Sequence, residues 1–184
     1  MENAVEFMEL VSILKELQRT GWKQHRVTGI IDTTASHSFG VALLSWLFAG
    51  KGEVDLDKVL KMALVHDLVE SVIGDLTPSE AERIDRDALE EDGLKRIEKK
   101  FPDRLGDEIR SLIREFRAGA TKEAKTVRIC DKLETLFQAY FYRKSDRLSE
   151  NSFREFFRYA EKECRTGLAR EVLNQMRSPE NQIN

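Results

Sequence analysis

The chain has 184 residues, 41% hydrophobic and 34% charged, the profile of an ordinary soluble globular domain long enough to bury a core. Its net charge of −3 excludes the basic footprint that long nucleic acid demands. A small phosphorylated ligand needs only a few local cations and stays compatible. Cys130 and Cys164 stand 34 positions apart with no CxxC pair, which points to a reducing cytoplasm rather than a disulfide framework.

The first segment, "MENAVEFMELVSILKEL", carries Glu2, Glu6 and Glu9 and reads as a helix rather than a secretory signal. No strand-like alternation of useful length follows, and helical periodicity dominates, so an all-α fold is expected. Residues 4–18 form an amphipathic helix, and "RTGWKQHRVTGIID" (19–32) is a long connection. The second helix starts near Thr33–Ser36, good capping residues, and stops at Gly50. Its run "FGVALLSWLFAG" has 12 residues, too short to span a bilayer, so no membrane partner is expected.

The third helix is expected from about Asp55 to Val72, stopping near Gly74. "TPSE" (77–80) is a capping box that starts a fourth helix to about Lys100, with a solvated, charge-rich face over 80–100. "FPDRLGDE" breaks the chain before a shorter helix at 105–117. A longer helix from Lys122 to about Arg143 follows the "AGAT" turn. One or two helices fill 149–177, and 178–184 is a frayed tail. The whole of 1–184 reads as one domain.

Within the third helix, "LKMALVHDLVESVIGD" (60–75) sets His66, Asp67, Glu70 and Asp75 among apolar residues. Burying unpaired ionised groups costs several kcal/mol each, so a bound cation or an ion-pair network must compensate. On a continuous helix His66 and Glu70, four apart, share one face; Asp67 and Glu70 are three apart. Imidazole with carboxylate suits a divalent transition metal: Mn, Fe, Co, Ni or Zn. The plain alternative is a core histidine with Asp67 as its salt-bridge partner.

Two further residues extend the pattern. His37 lies in "DTTASHSFGVALL" and Asp131 in "VRICDKLE", giving the order H…HD…D with spacings of 29 and 64. Together with "RTGW" (19–22), "ASHS" (35–38), "ALVHDLVESVIGDLTP" (63–78) and "CDKLE" (130–134), this resembles the HD-domain metal-dependent phosphohydrolase superfamily. More closely, it resembles the branch of small HD proteins that act as 5′-deoxynucleotidases.

The resemblance implies a single compact HD-domain helical bundle with its metal-site core at about 19–134. It implies one divalent metal ion on His37, His66, Asp67 and Asp131, a small nucleotide substrate, and a homodimer. The implied reaction converts deoxyribonucleoside 5′-monophosphates to deoxynucleoside and phosphate. From the residues alone, burial motivates His66 and Asp67, and a place at the start of an apolar helix motivates His37. Asp131 falls at the shoulder of its apolar stripe, where an exposed salt bridge is the plain reading.

Such a ligand set leaves coordination positions for water and a phosphate oxygen. Glu70 is the candidate proton carrier beside Asp67; its alternative role is to fix a ligand histidine. Asp75 can cap a local turn, and the resemblance suggests contact with the sugar 3′-hydroxyl. Arg19 and Arg26 flank Trp22, and either arginine suits phosphate. Relatives place an Arg–Trp pair side by side, whereas two residues separate Arg19 from Trp22 here. Trp22 either excludes a ribose 2′-hydroxyl or packs in the core. Asp32 stands where relatives carry a Glu, and His25 is a loop histidine without a ligand role. Other HD chemistry on triphosphates, cyclic nucleotides or an alarmone is a second reading. A non-catalytic metal-holding module is a third, which Glu70 and Asp75 disfavour.

Overall fold

A computed structural model describes residues 3–50, 53–76, 85–101, 104–165 and 167–177. Its helices are α1 (Asn3–Glu16), α2 (Thr20–Gln24), α3 (Thr34–Ala49), α4 (Leu56–Val65), α5 (Glu70–Ile73), α6 (Arg86–Lys100), α7 (Arg104–Ala118), α8 (Lys122–Lys144), α9 (Glu150–Glu163) and α10 (Gly167–Arg177). Among the described residues the only β-type contact is a lone bridge between Gln18 and Thr33. None of the described helices is long and apolar enough to cross a membrane.

Side-chain caps set several boundaries. Thr33 and Ser36 form a reciprocal box at the start of α3: Ser36 N–H donates to Thr33 Oγ1 at 3.2 Å, and Thr33 N–H to Ser36 Oγ at 2.9 Å. Thr121 starts α8 by accepting from Ala124 N–H at 3.1 Å. The expected "TPSE" start (77–80), the first part of the 80–100 run and the 178–184 tail lie outside the described residues. The described helix there begins at Arg86, capped by Asp85.

Helix α8 is the axis. It packs on α3, α4, α7 and α9. Its Val127, Cys130, Leu133 and Leu136 are completely buried. Each such apolar side chain contributes about 1.5–3 kcal/mol relative to exposure. The central core joins α3, α4, α7 and α8 through Val41, Met62, Leu112 and Val127. A second cluster joins α1, α6 and α7 through Leu14, Leu94, Ile97 and Ile113, and takes in Leu68 and Val69. A third holds α8, α9 and α10 together and includes Trp22.

The third helix differs from expectation. It stops at Val65, and residues 66–69 form tight turns before the single turn of α5. The amide of Leu68 bonds Val65 O at 2.9 Å, and that of Glu70 bonds Asp67 O at 3.0 Å, so the hydrogen bonding has shifted to i→i+3. Side chains take up carbonyls here: His66 Nδ1 lies 2.8 Å from Ala63 O, and Ser71 Oγ donates to Leu68 O at 2.7 Å. His66 and Glu70 therefore do not stack on one continuous helical face. Gly93 of α6 lets that helix close on the turn: a Cβ there would sit 2.7 Å from Val69 Cγ2.

The connection 19–32 is folded down. Trp22 is 3% exposed and packs on Tyr142 and Phe156, with ring centroids 5.2 and 4.6 Å away. The C-terminal aromatics mostly fill the core, although Phe141 and Tyr159 remain exposed. A larger uncovered apolar stripe lies on α3, where Phe39, Leu43, Trp46 and Leu47 are all exposed.

Candidate metal centre

Three segments deliver the ionisable groups. The Thr33 cap sets the first turn of α3, which carries His37. The end of α4 delivers His66 and the turn after it Asp67. The middle of α8 delivers Asp131. His37 is 1% exposed, His66 4% and Asp131 7%. Asp131 is thus no exposed salt bridge; the helix packing that buries Val127 and Cys130 carries it inward as well.

The ligand atoms converge. One ligand atom each from His37, His66 and Asp67 lie within 4.8 Å of one another. His66 Nε2 is 3.2 Å from Asp67 Oδ2, and His37 Nε2 is 3.2 Å from Asp131 Oδ1 and 3.8 Å from Asp67 Oδ2. Both Nε2 atoms are buried without a hydrogen-bonding partner. Two imidazole nitrogens facing two carboxylates in a largely buried site form a donor set that a borderline divalent cation satisfies. The residues present therefore fit the metal that the sequence implies.

The electrostatics follow from burial and crowding. Burial and the Arg19 charge both oppose a proton on His37, but its contacts with Asp131 and Glu134 outweigh them and raise it from 6.5 to about 9. Burial would push Asp67 up, yet neighbouring His66, Arg19 and His37 bring it below the usual carboxylate range. Asp131 is likewise held low against its own burial, by Lys132 and the two histidines. Glu70 goes the other way: burial, then the Asp67 charge, raise it well above an ordinary glutamate. Thr34 Oγ1 donates to Glu70 Oε2 at 3.0 Å.

The other sequence-predicted residues divide into two groups. Arg19 reaches the centre: its Nη1 donates to Asp67 Oδ2 at 2.9 Å. Asp75 ties the two motif segments together, accepting from Thr20 N–H while Thr20 Oγ1 donates to its carbonyl at 2.9 Å. Arg26 is exposed, with a left-handed backbone at φ 55°. The Trp22 ring lies in the C-terminal core, with its indole Nε1 buried and unpartnered. His25 lies against Phe156, away from the centre. Asp32 accepts from the Ser36 hydroxyl, and its amide donates to Tyr142 Oη at 2.8 Å.

Two further residues of the "CDKLE" string, without a role in the sequence pattern, stand at the centre. Lys132 Nζ lies 2.7 Å from Asp131 Oδ2. Glu134 meets His37 Nδ1 directly. The available signal was position: Glu134 lies three residues after Asp131, on the same face of α8.

A family model described as "HD domain" matches residues 11–172. The chain belongs to the HD-domain family. Among relatives, the 5′-deoxynucleotidase HDDC2 of Dictyostelium discoideum is 34% identical over 162 residues, covering 84% of this chain and 85% of that protein. The 5′-deoxynucleotidase hdd1 of Schizosaccharomyces pombe is 31% identical over 145 residues, covering 76% and 72%. Among solved structures, the PH0347 protein of Pyrococcus horikoshii superposes with a TM-score of 0.77 at 35% identity, covering 93% of this chain and 96% of that one. The fold of this HD-domain protein is all-α.

Proposed function

We propose that this protein is a metal-dependent phosphomonoesterase, a 5′-deoxynucleotidase that converts deoxyribonucleoside 5′-monophosphates to deoxynucleoside and phosphate. The observation that carries the reading is the convergence of His37, His66, Asp67 and Asp131, with two buried, unpartnered Nε2 atoms, beside a glutamate and two cations. The activity named for the Dictyostelium and yeast relatives supports the choice of substrate.

A divalent ion bound by those four residues would lower the pKa of a water and withdraw charge from the phosphoryl group. Glu70, half-buried and held protonated more readily than an ordinary glutamate, is placed to carry a proton. Arg19 stands on Asp67 and Lys132 on Asp131, so two cations flank the position a phosphate would take. Arg is suited to bidentate phosphate contact. Asp75 is proposed for the sugar 3′-hydroxyl, and Trp22 for shaping the sugar side from behind the connection.

We place the protein in the cytoplasm, on the strength of two buried, free cysteines. A homodimer would find its apolar surface on the α3 stripe of Phe39, Leu43, Trp46 and Leu47. The deciding experiment is phosphate release from a panel of deoxy- and ribonucleoside monophosphates, triphosphates and cyclic nucleotides, with and without added divalent metal. Release from deoxy-monophosphates that requires metal is expected. A protein that holds metal yet cleaves nothing in the panel sinks the enzyme reading.

A further inference from the structure

The two histidines of the centre are oriented by different devices. His66 Nδ1 faces the main-chain carbonyl of Ala63 at 2.8 Å. His37 Nδ1 faces a side chain, the carboxylate of Glu134 on α8. We propose that Glu134 is the positioning residue for His37. It accepts the Nδ1 proton, fixes the ring tautomer, and leaves Nε2 as the atom turned toward the metal. The proposal rests on reading His37 as a metal ligand.

The contact is enclosed: the side chain of His37 is 1% exposed and that of Glu134 13%. The opposing helix is shaped around it. Residue 40 of α3 is glycine, and a Cβ there would lie 2.8 Å from both Cγ and Oε1 of Glu134. A glycine in mid-helix is unfavourable for the helix itself. Here its missing side chain is what gives the carboxylate room to reach His37.

A second carboxylate stands near the same nitrogen. Asp32, His37 and Glu134 each offer a ligand atom within 4.8 Å of one another, a set that could hold a cation of its own. The contacts argue against that use. Asp32 Oδ1 accepts from the Ser36 hydroxyl and its Oδ2 is buried without a partner, so what decides is the ring nitrogen, which Glu134 meets directly. A ring nitrogen that carries a proton toward Glu134 has no lone pair for an ion. Histidines that ligate metals commonly donate their other N–H to a carboxylate or a carbonyl, which raises ligand basicity and holds the ring plane. In this centre both kinds of acceptor occur, one per histidine.

The test uses the full-length zinc-loaded protein, with Glu134→Ala and Glu134→Gln variants. Zinc affinity is measured by competition with a chelating dye, and the ring N–H groups are followed by long-range nitrogen–proton NMR, with His37→Gln supplying the assignment. Wild type should show a slowly exchanging Nδ1–H on His37. Glu134→Ala should lose that protection and weaken zinc about 10–100-fold. Glu134→Gln, whose carboxamide oxygen still accepts, should keep the Nδ1–H and weaken zinc less. An alanine variant with a protected Nδ1–H and wild-type zinc affinity overturns the proposal. So does a folded Gln variant that loses the signal, which decides the matter where the alanine variant does not fold. Wild-type protein that binds no zinc overturns the metal-centre reading and this inference with it. Neither readout needs a nucleotide, so failure of the deoxynucleotidase activity would leave the result for Glu134 standing.

Discussion

Arg19 and Asp67, 48 positions apart in sequence, form an ion pair of 2.9 Å at the heart of the centre. A cation suited to phosphate thus rests on a carboxylate suited to metal. Removing Arg19 deletes a competitor for Asp67, so Arg19→Ala should retain metal while KM for a nucleoside monophosphate rises. A hydrogen bond to a charged group is worth about 1.5–3 kcal/mol, or about a 10–150-fold loss in kcat/KM. Lys132→Met should behave similarly. Arg26→Ala should leave kcat/KM nearly unchanged, because its side chain is exposed. Steady-state kinetics with metal content measured on each variant checks all three. Equal losses at Arg19 and Arg26 would refute the assignment.

Asp67 and Glu70 should separate metal binding from proton transfer. Asp67→Ala should lose both metal and activity, since its Oδ2 is shared by His66, His37 and Arg19. Glu70→Gln should keep metal, because Glu70 is held by Thr34 rather than by the ligand set. Its turnover should fall by about 10²–10⁴-fold, the usual contribution of a positioned acid or base. Elemental analysis beside kcat distinguishes the two.

Metal-free protein should lose stability as pH rises through the neutral range. His37 is held at about 9 in the fold against 6.5 ordinarily, so its stabilisation is complete below about 6.5 and is lost as pH climbs through about 9. A displacement of that size corresponds to roughly 3 kcal/mol. Glu70, also raised, contributes in the same direction from a lower pH. Asp67 and Asp131 are held low, so their stabilisation is present above the ordinary carboxylate range and is lost only toward acid. Thermal unfolding in chelator at pH 6.5, 7.5 and 9 should show a falling Tm that flattens in His37→Gln. Saturating metal should flatten it too, because a ligating imidazole carries no second proton.

Gly93 supports the turn that carries His66 and Asp67. The Cβ of Gly93→Ala would lie 2.7 Å from Val69 Cγ2 and 3.0 Å from Ile73 Cγ2. Overpacking of this kind costs about 1–3 kcal/mol, offset by up to about 1 kcal/mol of helix propensity. A net loss of stability, with weaker metal binding as the turn shifts, is expected from denaturant titration and metal competition. Unchanged values for both would mean that the turn accommodates the methyl.

Where local chemistry decides, the sequence was readable. The Thr33 cap and Gly50 stop bracket α3 as expected, and "AGAT" followed by Lys122 marks the start of α8. The pairing of His66 with Asp67 followed from the cost of burying charge among apolar residues. The end of α4 was not legible. Its pattern continues as helix to Val72, and the tight turns depend on side-chain bonds to Ala63 and Leu68 and on the approach of α6 at Gly93. Those are tertiary facts. The burial of Asp131 was hidden for a related reason: a helical wheel places it on a shoulder, while the packing of α8 against several helices leaves little of that shoulder in water. Glu134 carries no local signal beyond its place on α8; its contact with His37 and the gap left by Gly40 are tertiary as well.

The Ala63 carbonyl gives the centre an uneven exposure to mutation. Any residue placed at position 63 still supplies that oxygen to His66, so sequence drift has no direct means of deleting it. Glu134 can be lost in a single codon change, and residue 40 can block it in another. Divergence among proteins built on this plan should therefore retune the metal through the α3–α8 side, while the His66 side stays as the main chain sets it.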